Sequence, residues 1–149
     1  MKIFNTANDT ETQEFGKKIA TSLESGSIVC LYGELGAGKT TFTKGLATGF
    51  GVNTTITSPT FTLMNVYPVL DHPARITTLI HIDTYRLNSA QELLDIGVEE
   101  YLGQPGTVTV IEWPEKIAEL LHGRTITSIR FAHAEHGRTI ELEEKKLLL

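Results

Sequence analysis

Three glycines stand ahead of a lysine and two hydroxyl residues in the segment Gly33-Glu-Leu-Gly-Ala-Gly-Lys39-Thr40-Thr41. Glycines at this spacing let the backbone curl until successive N–H groups point inward. The result is a cradle for phosphate oxygens, and the helix that follows adds its positive N-terminal end. Lys39 is placed to neutralise the β- and γ-phosphates of a nucleotide, and the Thr40 hydroxyl to coordinate magnesium. This is the P-loop pattern, and the residues expected to hold a triphosphate are Gly33, Leu35, Gly36, Ala37, Gly38, Lys39, Thr40 and Thr41. The plainer reading, a glycine turn followed by a surface lysine, leaves the strand-forming and helix-forming flanks unexplained.

Hydrolysis or phosphoryl transfer needs, besides the cradle, an acid on the metal and a group that places the nucleophile. Asp83 and Glu112 are the candidates, because each closes an apolar, β-rich run. In an open parallel sheet the carboxyl ends of the strands gather beside such a loop. His81 interrupts the run before Asp83 and weakens a strict match to the usual acid-bearing strand. Asp83 reads as a metal ligand or as an ordinary cap or turn residue. Glu112 reads as a magnesium ligand, as the group that orients an attacking water, or as support for the helix that Pro114 opens. Trp113, the single tryptophan, reads on residue type as core or rim packing. In Ile56-Thr-Ser-Pro-Thr60, Pro59 disfavours helix at Ser58. That hydroxyl-rich loop either covers the terminal phosphate as a switch or simply connects.

These residues require a strand before the loop, a helix after it and two further strands to carry the acids. Ser27 to Tyr32 is short, apolar and rich in strand formers, as a strand covered on both faces should be. From Lys39 to Phe50, the residues Phe42, Leu46, Ala47 and Phe50 share one helical face, ended by Gly51. Ile76 to Ile82 and Thr107 to Ile111 supply the acid-bearing strands. Upstream, Thr10-x-x-Gln13 has capping-box spacing, and Phe15, Ile19, Ala20 and Leu23 follow at helical intervals before Gly26. Downstream, Ser89-x-x-Glu92 caps a helix from Gln91 to about Tyr101, and Pro114 opens a short one through Leu121. Ile126 to Phe131 and Thr139 to Leu142 read as strands around a turn at Glu135-His-Gly137. The expectation is an α/β fold of P-loop NTPase type, with a mostly parallel central sheet, flanking helices and a C-terminal antiparallel hairpin.

The 149 residues, 40% hydrophobic and 21% charged, suit one globular domain over 1–149. No run approaches the roughly 18 apolar residues of a membrane span, and Met1-Lys-Ile-Phe-Asn-Thr6 lacks the apolar core of a signal peptide, so a cytoplasmic location is the default expectation. Cys30 is the sole cysteine, which excludes an intrachain disulfide and a cysteine-based zinc site; its apolar run marks it as a core residue. Only His133 and His136 among the histidines are close in sequence, and no metal is expected there. A net charge of −5 argues against a broad basic surface for nucleic acid.

Taken together, these segments resemble the TsaE family of small bacterial ATPases needed for making threonylcarbamoyladenosine in tRNA. The resemblance rests on Gly33 to Phe42, on Thr57-Ser-Pro-Thr-Phe61, on His81-Ile-Asp-Thr-Tyr-Arg-Leu87, on Glu92-Leu-Leu-Asp-Ile-Gly97 and on Ile111-Glu-Trp-Pro-Glu115. His81, anomalous for a generic acid-bearing strand, fits that family's pattern. The resemblance implies a magnesium shell of Thr40, Asp83 and Glu112, a switch-like loop at Ser58-Pro59-Thr60, Trp113 near the nucleotide, and contacts to ATP from Thr12 and Arg138. It implies catalytic roles for Lys39, Asp83 and Glu112, with ATP and Mg2+ as cofactors. It also implies work with TsaD and TsaB, and contact with tRNA only through that complex. The rival readings are a small P-loop kinase acting on a nucleotide or metabolite, a regulatory GTPase, and a non-hydrolysing assembly module. The scattered arginines, at 75, 86, 124, 130 and 138, supply no arginine-rich lid for a kinase, and no Asn-Lys-x-Asp segment selects guanine. Slow hydrolysis is expected because no evident arginine finger accompanies the loop, Arg86 being the candidate in cis.

Overall fold

The computed structural model describes residues 1–59 and 62–148. In chain order its elements are β1 (Lys2–Thr6), α1 (Asp9–Ala20), β2 (Ile28–Tyr32), α2 (Lys39–Gly49), β3 (Met64–Pro68), β4 (Thr78–Asp83), α3 (Gln91–Asp95), β5 (Thr107–Glu112), α4 (Ala118–Leu121), β6 (Thr125–Ala134) and β7 (Gly137–Lys146). Short 3-10 turns lie at Val98–Glu100 and Pro114–Ile117. The strands make one mixed sheet in the order β1-β7-β6-β2-β5-β4-β3, and the fold is α/β.

Alternation along the strands builds two cores. On β2, Val29 and Leu31 join Phe15 and Ile19 of α1 and Phe42 and Leu46 of α2. Ile28 and Cys30 point the other way and pack with Leu93 of α3 and Leu121 of α4. A strand covered on both faces has no polar face to show, so it reads as an unbroken apolar run.

The central strands β6, β2, β5 and β4 are parallel, and the expected C-terminal hairpin of β6 and β7 is present. The expectation of a mostly parallel sheet is corrected, however. Three of the six strand pairings are antiparallel, β1–β7, β6–β7 and β3–β4. All three lie at the margins of the sheet. Parallel neighbours need a crossover, whereas β7 follows β6 through only Glu135 and His136.

One helix start and one helix end also differ from expectation. The cap of α1 is Asn8, whose side chain accepts from Glu11 N, while the Glu11 carboxylate reaches back to Ala7 N. The box is therefore Asn8 with Glu11, two residues before Thr10 and Gln13. The helix expected to run from Gln91 to Tyr101 stops at Asp95, because Gly97 takes a left-handed φ of 85° and divides it from the following 3-10 turn. Helices α1 and α2 touch backbone to backbone: a Cβ on Gly45 would lie 2.0 Å from Gln13 O, and one on Gly16 would lie 2.4 Å from Phe42 O. That contact holds α2, and the loop before it, against the sheet. Among the described residues no helix is long and apolar enough to cross a membrane.

Candidate functional site

Strand β2 ends at Tyr32, and the chain turns through Gly33, Gly36 and Gly38 at φ of 141°, 77° and 114° before α2 begins. At Gly33 and Gly38 space as well as φ disfavours a side chain, whereas at Gly36 only φ does. A Cβ on Gly33 would come within 2.7 Å of Phe131 O, and one on Gly38 within 2.9 Å of Arg138 Cδ. The loop is thus seated against the β6–β7 hairpin. Gly38 caps α2 without a side-chain bond, so the first amides of that helix face outward as donors for an acidic ligand.

Lys39 is 5% exposed. Its ammonium folds over its own loop, donating to Gly33 O and, at 3.4 Å, to Glu34 O, and it stands 3.8 Å from the centre of the Trp113 ring. Burial holds its pKa below the ordinary lysine value, against the opposing pull of Glu112, Glu115 and Asp83.

The acids are delivered by register. Strands β4 and β5 run parallel with Asp83 opposite Glu112, and β2 sets Leu31 opposite Glu112 on the other side. Both carboxylates therefore emerge at strand ends beside the glycine loop. Thr40 Oγ1 lies 3.4 Å from Glu112 Oε1 and donates to it. Ser58 Oγ donates to Asp83 Oδ2 at 3.0 Å, and Tyr85 N donates to the other Asp83 oxygen at 2.9 Å. Glu112, 3% exposed, accepts from His81 Nε2 at 2.7 Å through Oε2. Thr84, fully buried, holds the carbonyls of Glu112 and Trp113 with its hydroxyl, at 3.1 and 2.5 Å. Trp113 itself sits in the left-handed region at φ 59° and ψ 49°, a conformation uncommon for a bulky residue. Its ring meets that of Tyr85 at 5.1 Å.

The far rim comes from the other end of the chain. At the start of β7, Arg138 Nη1 donates to Asp9 Oδ1 at 2.8 Å and to Thr12 Oγ1 at 3.3 Å. These groups surround a cleft of about 490 Å³. Of the residues singled out in the sequence, Leu35, Gly36, Gly38, Lys39, Thr40, Thr41, Ser58, Asp83, Glu112, Trp113 and Arg138 line it, and Arg86 does as well. Gly33, Ala37 and Thr12 stand behind the wall; Ala37 belongs to the core, and the buried Thr12 hydroxyl supports Arg138. Pro59 is buried, and Thr60 lies outside the described residues. Asp9 and Tyr85 line the cleft without having been singled out. Tyr85 lay within a motif already noted, but Asp9 meets Arg138 across 129 positions, a separation no local spacing reveals. Among the described residues there is no group of three or more His, Cys, Asp or Glu that could hold a metal. Beside the glycine loop the cleft offers instead the Asp83 and Glu112 carboxylates with the Thr40 and Ser58 hydroxyls, oxygen donors suited to a hard cation that keeps several waters.

A family model described as threonylcarbamoyl adenosine biosynthesis protein TsaE matches residues 6–140, a span that holds every cleft residue from Asp9 to Arg138. The chain belongs to the TsaE family. A TsaE from Treponema pallidum, called a tRNA threonylcarbamoyladenosine biosynthesis protein, is 47% identical over 130 residues, covering 87% of this chain and 91% of that protein. The TsaE of Bacillus subtilis, under the same description, is 39% identical over 118 residues, 79% of this chain and 70% of its own. The crystal structure of Bacillus subtilis YdiB superposes with a TM-score of 0.72 at 32% identity, covering 95% of this chain and 83% of that one.

Proposed function

We propose that this TsaE-family chain has a P-loop NTPase fold, binds ATP with magnesium in the cleft and hydrolyses it slowly. In this reading it serves threonylcarbamoyladenosine formation in tRNA together with TsaD and TsaB, in the cytoplasm, and meets tRNA only through them. The observation that carries the reading is the convergence of Lys39, Thr40, Asp83 and Glu112 on one space beside a glycine loop. The family match, to proteins named for that tRNA modification, supplies the biological setting.

The loop amides and the start of α2 bind the phosphates, and the Lys39 ammonium neutralises them. Thr40, Asp83 and Glu112 are the residues that would hold magnesium, which when bound screens charge on the phosphate oxygens. Ser58, already bonded to Asp83, brings the preceding loop to the same carboxylate. Slow turnover by the isolated chain fits a cleft whose Arg138 is ion-paired with Asp9.

The test is phosphate release from ATP with magnesium, for wild type and Glu112→Ala, with and without TsaD and TsaB. Release that rises with the partners and falls on the order of 10²-fold in the variant is expected. Transfer of phosphate to a small acceptor, indifferent to the partners, would favour the kinase reading.

A further inference from the structure

His81 stands between Ile80 and Ile82 on a central strand with none of its surface exposed. Among the described residues its Nδ1 has no hydrogen-bond partner. An unpaired buried polar atom is destabilising, so apolar packing alone does not account for a histidine at this position. Its other nitrogen does have a specific task. An ionised carboxylate only accepts, so the 2.7 Å bond to Glu112 Oε2 places the ring hydrogen on Nε2. That bond anchors Oε2, while Oε1 lies on the side of the Thr40 hydroxyl, 3.4 Å away. The main chain of the same residue is tied by Thr84, whose hydroxyl lies 3.1 Å from Glu112 O. Glu112 is thus held at its side chain from β4 and at its backbone from the residue that follows β4.

We infer that His81 is a positioning residue, which orients Glu112 so that Oε1 alone is presented, beside Thr40, to a divalent cation. The inference rests on the magnesium-nucleotide reading above and makes it more specific. With Oε2 held by the ring N–H, Oε1 is the oxygen that Glu112 would offer to the cation. A glutamate free to turn about its side-chain bonds would lose that freedom on binding the cation; the histidine removes the loss beforehand. Partners that orient metal ligands in this way commonly alter metal affinity by about 10–100-fold.

Two amide substitutions separate positioning from packing. Glutamine has the reach to place an N–H where Nε2 lies, whereas asparagine, one methylene shorter, does not. In the full chain, ATP binding is followed through the fluorescence of Trp113, the only tryptophan, as magnesium is raised and again in EDTA. Thermal melts establish that each variant is folded. Half-saturation by magnesium should stay within about threefold of wild type in His81→Gln and rise about tenfold or more in His81→Asn, with ATP affinity in EDTA the same for all three. Asparagine matching wild type, both variants shifting equally, or an equal loss with and without magnesium would overturn the inference. Should wild type itself bind ATP without regard to magnesium, the nucleotide reading is what fails, and this inference with it. If His81→Asn does not fold, the histidine ring N–H signal of wild type in NMR decides. It should persist when magnesium and ATP are added, and its loss would show that Oε2 is surrendered to the cation.

Discussion

Trp113 occupies backbone space that glycine enters freely and other L-residues enter at about 1–2 kcal/mol. Replacing it with alanine removes the ring from Lys39 and Tyr85 and keeps the backbone penalty; replacing it with glycine removes both. Trp113→Gly is therefore expected to be more stable than Trp113→Ala by about 1 kcal/mol in urea unfolding, the reverse of the usual order for these two residues. Lys39 makes a second prediction. Burial lowers its pKa in the folded state, so between that value and the ordinary lysine value the unfolded chain binds more protons. Stability contributed by the site then rises with pH across that interval. Thermal melts at increasing alkaline pH should show wild type gaining on Lys39→Met, and a parallel decline of the two would contradict it. Lys39, Thr40, Asp83 and Glu112 were legible because local spacing places them at strand and helix ends. Thr84 and Asp9 were not, because their roles depend on partners brought close only by register and by the last hairpin.

Among the elements, the pair α1 and α2 depends on glycines where one backbone lies on the other. A methyl group on Gly45 has nowhere to go, at 2.0 Å from Gln13 O. Gly45→Ala should cost about 3 kcal/mol or more in equilibrium unfolding, while Thr48→Ala, on the exposed side of the same helix, should stay within about 0.5 kcal/mol. Asn8→Ala should cost about 1 kcal/mol through loss of the α1 cap, whereas Thr10→Ala should not. The apolar strands β2, β4 and β5 could be read from sequence because burial on both faces leaves a continuous signal. β1 and β3 were not read as strands. Each lies at an edge of the sheet with much of its surface exposed, and β3 ends in Pro68, a residue that edges tolerate. Helix ends were missed where a competing cap two residues away, or a glycine at positive φ, overrode a plausible spacing.

For the molecule as a whole, Cys30 offers a reporter. Burial removes it from solvent and pushes its thiol up to about 12, so it is poorly ionised as well as inaccessible. A thiol reagent near pH 8 should label the native chain only as fast as the molecule opens. On the proposed function, ATP with magnesium at about 100 times its dissociation constant should slow labelling roughly 100-fold, equivalent to about 2.7 kcal/mol. Labelling unaffected by nucleotide would mean that the opening exposing β2 is not the one that empties the cleft.

The order of strands in the sheet also has a meaning in time. The glycine loop hangs from β2, but β2 is flanked by β5 and β6, and the rim opposite the acids is Arg138 on β7. A ribosome makes the glycine loop before the strands that flank it. On the proposed function, nucleotide can add to the stability of a nascent chain only once β5, β6 and Arg138, all later in the sequence than the loop, have joined it.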